Sequence, residues 1–146
     1  MKIKIISSGS KANCTLISCG STNLLIDAGP TASFIASELE KENINPKDIN
    51  GIIITHTHSD HIKGLKVFIK NSNALVYITE ELVPEIIKIV PAQNIRLIDK
   101  TFKLENISKI TTGKEDANHS TENGKYKFNC SIFRRTFILL ITMYTT

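Results

Sequence analysis

One stretch of sequence decides the fold, Thr55-His56-Thr57-His58-Ser59-Asp60-His61, and it follows an apolar run. Side chains at positions i and i+2 of an extended chain point to the same side, so His56 and His58 can present two imidazoles to one metal ion. Asp60 and His61 come after the turn and can offer an oxygen and a nitrogen to a second ion. The sequence therefore predicts a metal centre at the end of a strand, and Asp60 is also the candidate catalytic residue.

The ligand types favour particular metals. Imidazole and carboxylate together suit Zn²⁺, with Mn²⁺ or Fe²⁺ as alternatives, whereas Ca²⁺ prefers oxygen ligands only. Two such ions held close together can activate a shared water for hydrolysis, so this chemistry needs no serine or cysteine nucleophile. Surface histidines without a metal are the alternative interpretation, which the clustering of three of the four histidines disfavours. The expected cofactor is zinc.

Asp27 is the candidate supporting residue of this centre. It directly follows the apolar residues 24–26 and lies just before a Gly-Pro turn. There its carboxylate could hydrogen-bond the outer nitrogen of a ligating histidine, which orients the ring and raises its basicity. A helix cap or a turn aspartate is the alternative interpretation.

The N-terminal part of the chain is predicted to be rich in strands. Residues 2–7 alternate basic and apolar side chains, which is typical of a half-buried strand. Residues 14–19 and 23–27 flank Gly20-Ser21-Thr22 and predict a hairpin. Apolar side chains at helical spacing between residues 32 and 39 then predict an amphipathic helix.

Strands and helices alternate around the histidine cluster and beyond it. Residues 51–54 and 74–78 are apolar runs expected of buried strands. Helical spacing between residues 62 and 69 predicts one helix, and residues 80–89 predict another. This alternation predicts an α/β layered domain.

The composition fits one ordinary globular domain. The 146 residues are 41% hydrophobic and 22% charged, which disfavours disordered and fibrous classes. A formal net charge of +4 and a pI near 9.0 weakly favour a polyanionic partner such as nucleic acid, although the basic residues are scattered.

Cysteine usage and the absence of long apolar runs predict a cytoplasmic protein. Cys14, Cys19 and Cys130 form no C-x-x-C pair, and their odd number argues against a disulfide framework. The start of the chain lacks the pattern of a signal peptide, and no run approaches the about 18 apolar residues of a spanning helix. We expect no membrane partner, and we expect Cys14 and Cys19 to be small buried hydrophobic residues.

The ten residues from Thr55 to Gly64 resemble the H-x-H-x-D-H motif region of the metallo-β-lactamase superfamily, and His56 to His61 carry the motif itself. Two further stretches resemble a bacterial branch with exonuclease-like and phosphodiesterase-like members, Ser8-Gly9-Ser10-Lys11-Ala12-Asn13-Cys14 and Leu24-Leu25-Ile26-Asp27-Ala28-Gly29. The similarity covers about residues 1–90. It implies an αββα sandwich with two metal ions at the edge of the sheets, and hydrolysis of a phosphodiester, thioester or lactam-like bond.

The resemblance also implies residue roles. By this similarity His56 and His58 bind the first ion, Asp60 and His61 bind the second, and Asp27 matches the family's supporting aspartate. The family supplies a third histidine to the first ion. His119 and Glu115 are the two candidates for that position, and His119 is slightly favoured because imidazole is the commoner partner of two other imidazoles.

The C-terminal part departs from the family pattern. No histidine remains for the last ligand position, and nothing after Cys130 resembles the family. A truncated or frame-shifted chain is therefore expected, with one partial domain over residues 1–146. Residues 1–110 are family-like in this interpretation, and residues 111–146 form an uncertain tail that is β-prone towards its end.

Two functions follow from these observations. The first is a zinc-dependent hydrolase that acts on a phosphodiester or nucleic-acid substrate. The alternative is a non-catalytic metal-binding remnant of such a hydrolase, whose incomplete second site would leave about one tightly bound ion and little turnover. The number of metal ions bound per chain distinguishes them.

Overall fold

The computed structural model describes residues 2–98 with their side chains, and the backbone strands 101–103, 126–132 and 139–145. The chain divides into two compact units, Met1–Leu97 and Ile98–Thr146. The histidine cluster belongs to the first unit.

A six-stranded mixed sheet is the frame of the first unit, and its strands lie side by side in chain order. The first three strands pair antiparallel, and strands three to six run parallel to one another. The strands are β1 (Lys2–Ser7), β2 (Cys14–Cys19), β3 (Thr22–Ile26), β4 (Gly51–Ile53), β5 (Leu75–Ile78) and β6 (Ile95–Leu97). The hairpin and the buried strands that the sequence predicts are thus confirmed.

Helices connect the parallel strands, as expected of an α/β layered domain. Helix α1 (Ala32–Glu40) joins β3 to β4, and it begins after Thr31, whose hydroxyl accepts a hydrogen bond from the amide of Phe34. The connection from β4 to β5 contains α2 (Ser59–Ile62) and α3 (Leu65–Lys70), and α4 (Val83–Ile86) lies between β5 and β6.

The helix predicted over residues 80–89 is shorter in the structure. Residues Glu80–Leu82 form a 3₁₀ turn, and α4 begins only at Val83. Pro84 explains the difference, because proline has no amide hydrogen and fits only the first turn of a helix. The helix therefore cannot extend through Pro84 towards Glu80.

The hydrophobic core lies between one face of the sheet and the helices. Leu16, Leu25, Ile52 and Val76 come from neighbouring strands and are fully buried. They pack with buried helix residues, namely Ile35 and Leu39 of α1 and Leu65, Phe68 and Ile69 of α3. This layer is closely packed, so the ends of β3 and β4 are held in fixed positions. Asp27 follows the end of β3, and the histidines follow the end of β4.

Strand β1 departs from the usual pattern of a half-buried strand. Its apolar residues Ile3 and Ile5 are 49% and 67% exposed, whereas Lys4 is partly buried. Lys4 Nζ lies 3.0 Å from Glu38 Oε2 and 3.2 Å from Glu42 Oε1, beside helix α1. These hydrogen bonds and charges outweigh burial and raise the pKa of Lys4, so the ammonium group stays charged at this position.

The second unit contains a three-stranded antiparallel sheet. Its strands are β7 (Thr101–Lys103), β8 (Tyr126–Ile132) and β9 (Leu139–Thr145), in that order, with Tyr126 opposite Thr145. The β-prone end of the chain thus contributes two strands. His119 and Glu115 lie outside the described residues. Among the described helices, none is long and apolar enough to cross a membrane.

Two isoleucines of the sheet differ in burial and therefore predict different costs of truncation. We expect Ile52→Ala to lower the free energy of unfolding by about 2–5 kcal/mol, because Ile52 is fully buried and its removal leaves a cavity. We expect Ile5→Ala to change it by less than about 0.5 kcal/mol, because that side chain is largely exposed. Urea denaturation of both variants measures the difference, and equal losses would contradict this assignment of the core.

Candidate metal centre

The histidine cluster lies where two parallel strands end side by side. Ile26 of β3 is paired with Ile53 of β4, so Asp27 and the residues after Ile53 leave the sheet at the same edge. The amide of Asp27 continues the ladder by donating to the carbonyl of Ile53 at 2.8 Å. The loop after β4 then reaches His58, which occupies the N-cap position of helix α2 without a capping hydrogen bond from its side chain.

Three side chains of this loop converge on one point. One ligand atom each of His56, His58 and Asp60 lies within 4.8 Å of the other two. His58 is exposed, and the other two side chains are partly buried. Two nitrogens and one oxygen at this spacing form a donor set that fits Zn²⁺, Mn²⁺ or Fe²⁺, which accept mixed imidazole and carboxylate ligands at about 2.0–2.2 Å.

Asp27 is the buried anion of the cluster, with only 4% of its surface exposed. Its Oδ1 accepts a hydrogen bond from the amide of Thr55 at 2.9 Å, and its Oδ2 accepts one from the Thr55 hydroxyl at 2.7 Å. Oδ2 also lies 2.7 Å from Nδ1 of His61. A buried carboxylate is costly unless such donors surround it, and here three donors do so.

These contacts fix the tautomers of two histidines. A carboxylate can only accept, so His61 donates from Nδ1, and in the neutral ring its lone pair is on Nε2. The Thr55 hydroxyl gives its hydrogen to Asp27, so its oxygen accepts from Nδ1 of His56 at 3.0 Å. The lone pair of His56 is then also on Nε2. Asp27 therefore orients His61 directly and His56 through Thr55.

His61 lies beside the group of three. Its Nε2 is 3.2 Å from Oδ2 of Asp60, and its ring centroid is 3.8 Å from that of His56. Burial lowers the pKa of His56, and the neighbouring His61 lowers it further. Burial also opposes protonation of His61, but the hydrogen bond and charge of Asp27 and the charge of Asp60 outweigh it, so its pKa is raised.

Backbone hydrogen bonds connect the histidine loop to the two loops beside it. The carbonyl of Asp60 accepts from the amide of Asn13 at 2.7 Å, and the carbonyl of His61 accepts from Ala28 at 2.8 Å. The amide of Gly64 donates to the carbonyl of Ala28 at 2.9 Å. These groups would otherwise continue the helical ladder, which explains why the helix predicted over residues 62–69 is split into α2 and α3.

Two glycines allow these loops to approach so closely. A Cβ atom on Gly29 would lie 1.8 Å from the carbonyl oxygen of Asp60 and 2.6 Å from the amide nitrogen of Asn13. A Cβ atom on Gly64 would lie 1.9 Å from the carbonyl oxygen of Pro30. Both contacts are with backbone atoms, which cannot move aside as a flexible side chain could.

The structure thus brings together five of the residues that the sequence singles out. His56, His58 and Asp60 form the group of possible ligands, and His61 and Asp27 adjoin it. Two contributors have no role in the sequence analysis, namely Thr55 and Asn13. Each lies in a stretch that resembles the family, which is the signal that could have drawn attention to them.

We predict that Gly29→Ala disrupts the histidine loop. The added methyl group would overlap the backbone of Asp60, so the variant should lose about 3 kcal/mol of unfolding free energy, the upper end of overpacking effects. Gly20→Ala is the control for added volume, because Gly20 has open space around it and only its positive φ, +58°, opposes the substitution. It should lose only about 1 kcal/mol. Equal losses in urea denaturation would show that the close approach at Gly29 is not tight.

Comparisons with known proteins agree with this geometry. A family model described as the metallo-beta-lactamase superfamily matches residues 8–119. The exodeoxyribonuclease YycJ of Bacillus anthracis is 33% identical over 81 residues, which are 56% of this chain and 31% of that protein. The exodeoxyribonuclease WalJ of Streptococcus pneumoniae serotype 2 is 38% identical over 80 residues, 55% of this chain and 30% of that protein.

A third curated relative has a different name. The anti-Pycsar protein Apyc1 of Paenibacillus xerothermodurans is 36% identical over 74 residues, which are 47% of this chain and 28% of that protein. The chain therefore spans about 30% of the length of the curated relatives that it matches.

Solved structures share the fold at low sequence identity. The chemotaxis sensor ODP, determined as a peroxy diiron species, matches with a TM-score of 0.61 and 18% identity over 88% of this chain and 47% of its own. The metallo-beta-lactamase SMB-1 matches with a TM-score of 0.57 and 19% identity over 64% of this chain and 42% of its own. Together with the family match over residues 8–119, these findings show that the chain belongs to the metallo-β-lactamase superfamily and has its α/β fold.

Proposed function

We propose that this chain carries the metal centre of a zinc-dependent hydrolase that cleaves phosphodiester bonds, with nucleic acid as the expected substrate. The observation that carries the proposal is the group of His56, His58 and Asp60, whose ligand atoms lie within 4.8 Å of one another. Two curated relatives named as exodeoxyribonucleases support a nucleic-acid substrate. The net charge of +4 favours the same class.

The proposed ligand roles follow from the donor atoms. His56 and His58 would hold the first ion through imidazole nitrogens, and Asp60 and His61 would hold the second. Asp60 lies close to both sets, which supports its proposed role as the catalytic carboxylate. His119 is proposed, ahead of Glu115, as the third ligand of the first ion.

Divalent ions held by these residues would supply Lewis-acid charge and lower the pKa of bound water, so no protein nucleophile would be needed. The cysteines support this proposal. Burial and the charge of Asp27 raise the pKa of the Cys14 thiol to about 12, so it stays protonated and unreactive. Cys14 and Cys19 are free thiols, which is in keeping with the proposed cytoplasmic location.

The alternative is a non-catalytic metal-binding remnant. Within residues 2–98 the second ion would have Asp60 and His61 as its ligands, whereas a catalytic zinc usually takes three protein ligands. This function predicts about one tightly bound ion per chain and little turnover.

Metal content tests the centre itself. We expect the double variant His56→Ala, His58→Ala to lose most of the zinc or manganese of the wild type, because it lacks two of the three converging donors. Ser59→Ala is the control, since Ser59 is exposed and lies between His58 and Asp60, at the first position of α2. Elemental analysis of the purified proteins gives the answer, and equal metal content in all three would refute the proposed centre.

The role of Asp27 is tested by Asp27→Asn. Asparagine tolerates the positive φ of this position, +62°, but places an N–H group against donors that need an acceptor. We expect metal affinity to fall by about 10- to 100-fold, because the histidine orientations are lost. A competition titration with a chelator measures this. Unchanged affinity would limit Asp27 to a structural role in its turn.

Turnover distinguishes the two functions. For the hydrolase we expect hydrolysis of bis(p-nitrophenyl) phosphate in added zinc or manganese, and its loss in His58→Ala. Metal stoichiometry is measured on the same samples. One tightly bound ion without turnover would contradict the hydrolase and favour the remnant.

A further inference from the structure

Asn13 joins the loop between β1 and β2 to the metal centre through its side chain. Its Oδ1 accepts a hydrogen bond from the amide of Gly9 at 3.1 Å, and its Nδ2 donates to the carbonyl of Gly9 at 2.8 Å. If the amide group were rotated by 180°, Nδ2 would face the amide of Gly9, which is also a donor. Oδ1 would face the carbonyl of Gly9, which is also an acceptor. The pair of bonds therefore fixes which end of the amide faces the centre.

The fixed end is the donor. Nδ2 of Asn13 lies 3.0 Å from Oδ2 of Asp60 and 3.2 Å from Nε2 of His61. These two acceptor atoms are 3.2 Å apart. Since His61 donates from Nδ1 to Asp27, the neutral ring carries its lone pair on Nε2, so the second hydrogen of the Asn13 amide then faces two electron-rich atoms.

We infer that Asn13 is a positioning residue of the metal centre: its amide N–H holds Oδ2 of Asp60 and Nε2 of His61 side by side, where both would serve as ligands of one divalent ion. This inference rests on the proposed function, because it concerns the same ligands. An oxygen and a nitrogen lone pair repel each other at 3.2 Å unless positive charge lies between them. The shared N–H supplies partial positive charge there and keeps the pair ready for binding.

The side chain of Asn13 can be tested apart from its backbone. The amide of Asn13 donates to the carbonyl of Asp60, and its carbonyl accepts from Gly29 at 3.0 Å. Asn13→Ala retains both backbone bonds and removes only the amide group. A change in metal binding would then come from the side chain.

Ser7→Ala provides the matched control. The Ser7 hydroxyl donates to the carbonyl of Ala12 at 3.0 Å, so this variant also loses one hydrogen bond of the same loop. The lost bond does not reach Asp60 or His61. If the loss of any side-chain hydrogen bond in this loop weakened metal binding, Ser7→Ala would weaken it as well.

The experiment titrates Zn²⁺ against a chelator in the wild type, Asn13→Ala and Ser7→Ala, and records the visible spectrum of the Co²⁺-loaded proteins. We expect Asn13→Ala to weaken binding of the ion held by Asp60 by about 10- to 100-fold and to alter the Co²⁺ spectrum. We expect Ser7→Ala to match the wild type in both measurements.

The other outcomes distinguish a failure of the inference about Asn13 from a failure of the proposed metal centre. Equal or tighter binding in Asn13→Ala, beside a wild type that binds zinc, would overturn the role of Asn13 alone. An equal loss in Ser7→Ala would assign the effect to loop order and overturn it as well. A wild type that binds no zinc would refute the proposed metal centre, and the inference about Asn13 with it.

Discussion

The buried carboxylate of Asp27 is the interaction on which the rest of the site depends. A carboxylate that is only 4% exposed must be surrounded by donors, and Thr55 and His61 supply them. In satisfying this requirement, the carboxylate fixes the Nδ1–H tautomer of His61 and, through Thr55, that of His56. The buried carboxylate thereby leaves the lone pairs of these two neutral rings on Nε2. A neutral imidazole binds metal ions through such a lone pair.

Backbone geometry gives this arrangement its position. The ends of β3 and β4 are adjacent in a parallel sheet, so Asp27 and the histidine loop meet without a long connection. The carbonyls of Asp60 and His61 then join the loop to its neighbours by accepting hydrogen bonds from Asn13 and Ala28. They therefore do not take part in helical hydrogen bonds. Gly29 makes the approach sterically possible. Stability and ligand placement therefore depend on the same contacts.

The relation to known proteins fits this division between frame and site. The fold is shared with solved structures at 18% and 19% identity, so the frame tolerates wide sequence change. The curated relatives match at 33% to 38% over 74 to 81 residues, about half of this chain. Thr55 and Asn13 contact the histidines and Asp60 of the cluster and hold these possible ligands in place.

The sequence by itself determined the α/β fold, because the helical and strand periodicities of apolar residues are local properties of the chain. It also determined the residues of the cluster, because the spacing from His56 to His61 is local as well. It could not determine the break between α2 and α3, since the amide of Gly64 is engaged by Ala28, far away in the chain. Nor could it assign Asp27 to His61, or Asn13 to Asp60, because those distances exist only once the loops are packed. Tertiary structure decided these contacts because a hydrogen bond depends on position in space, which side-chain spacing along the chain does not specify.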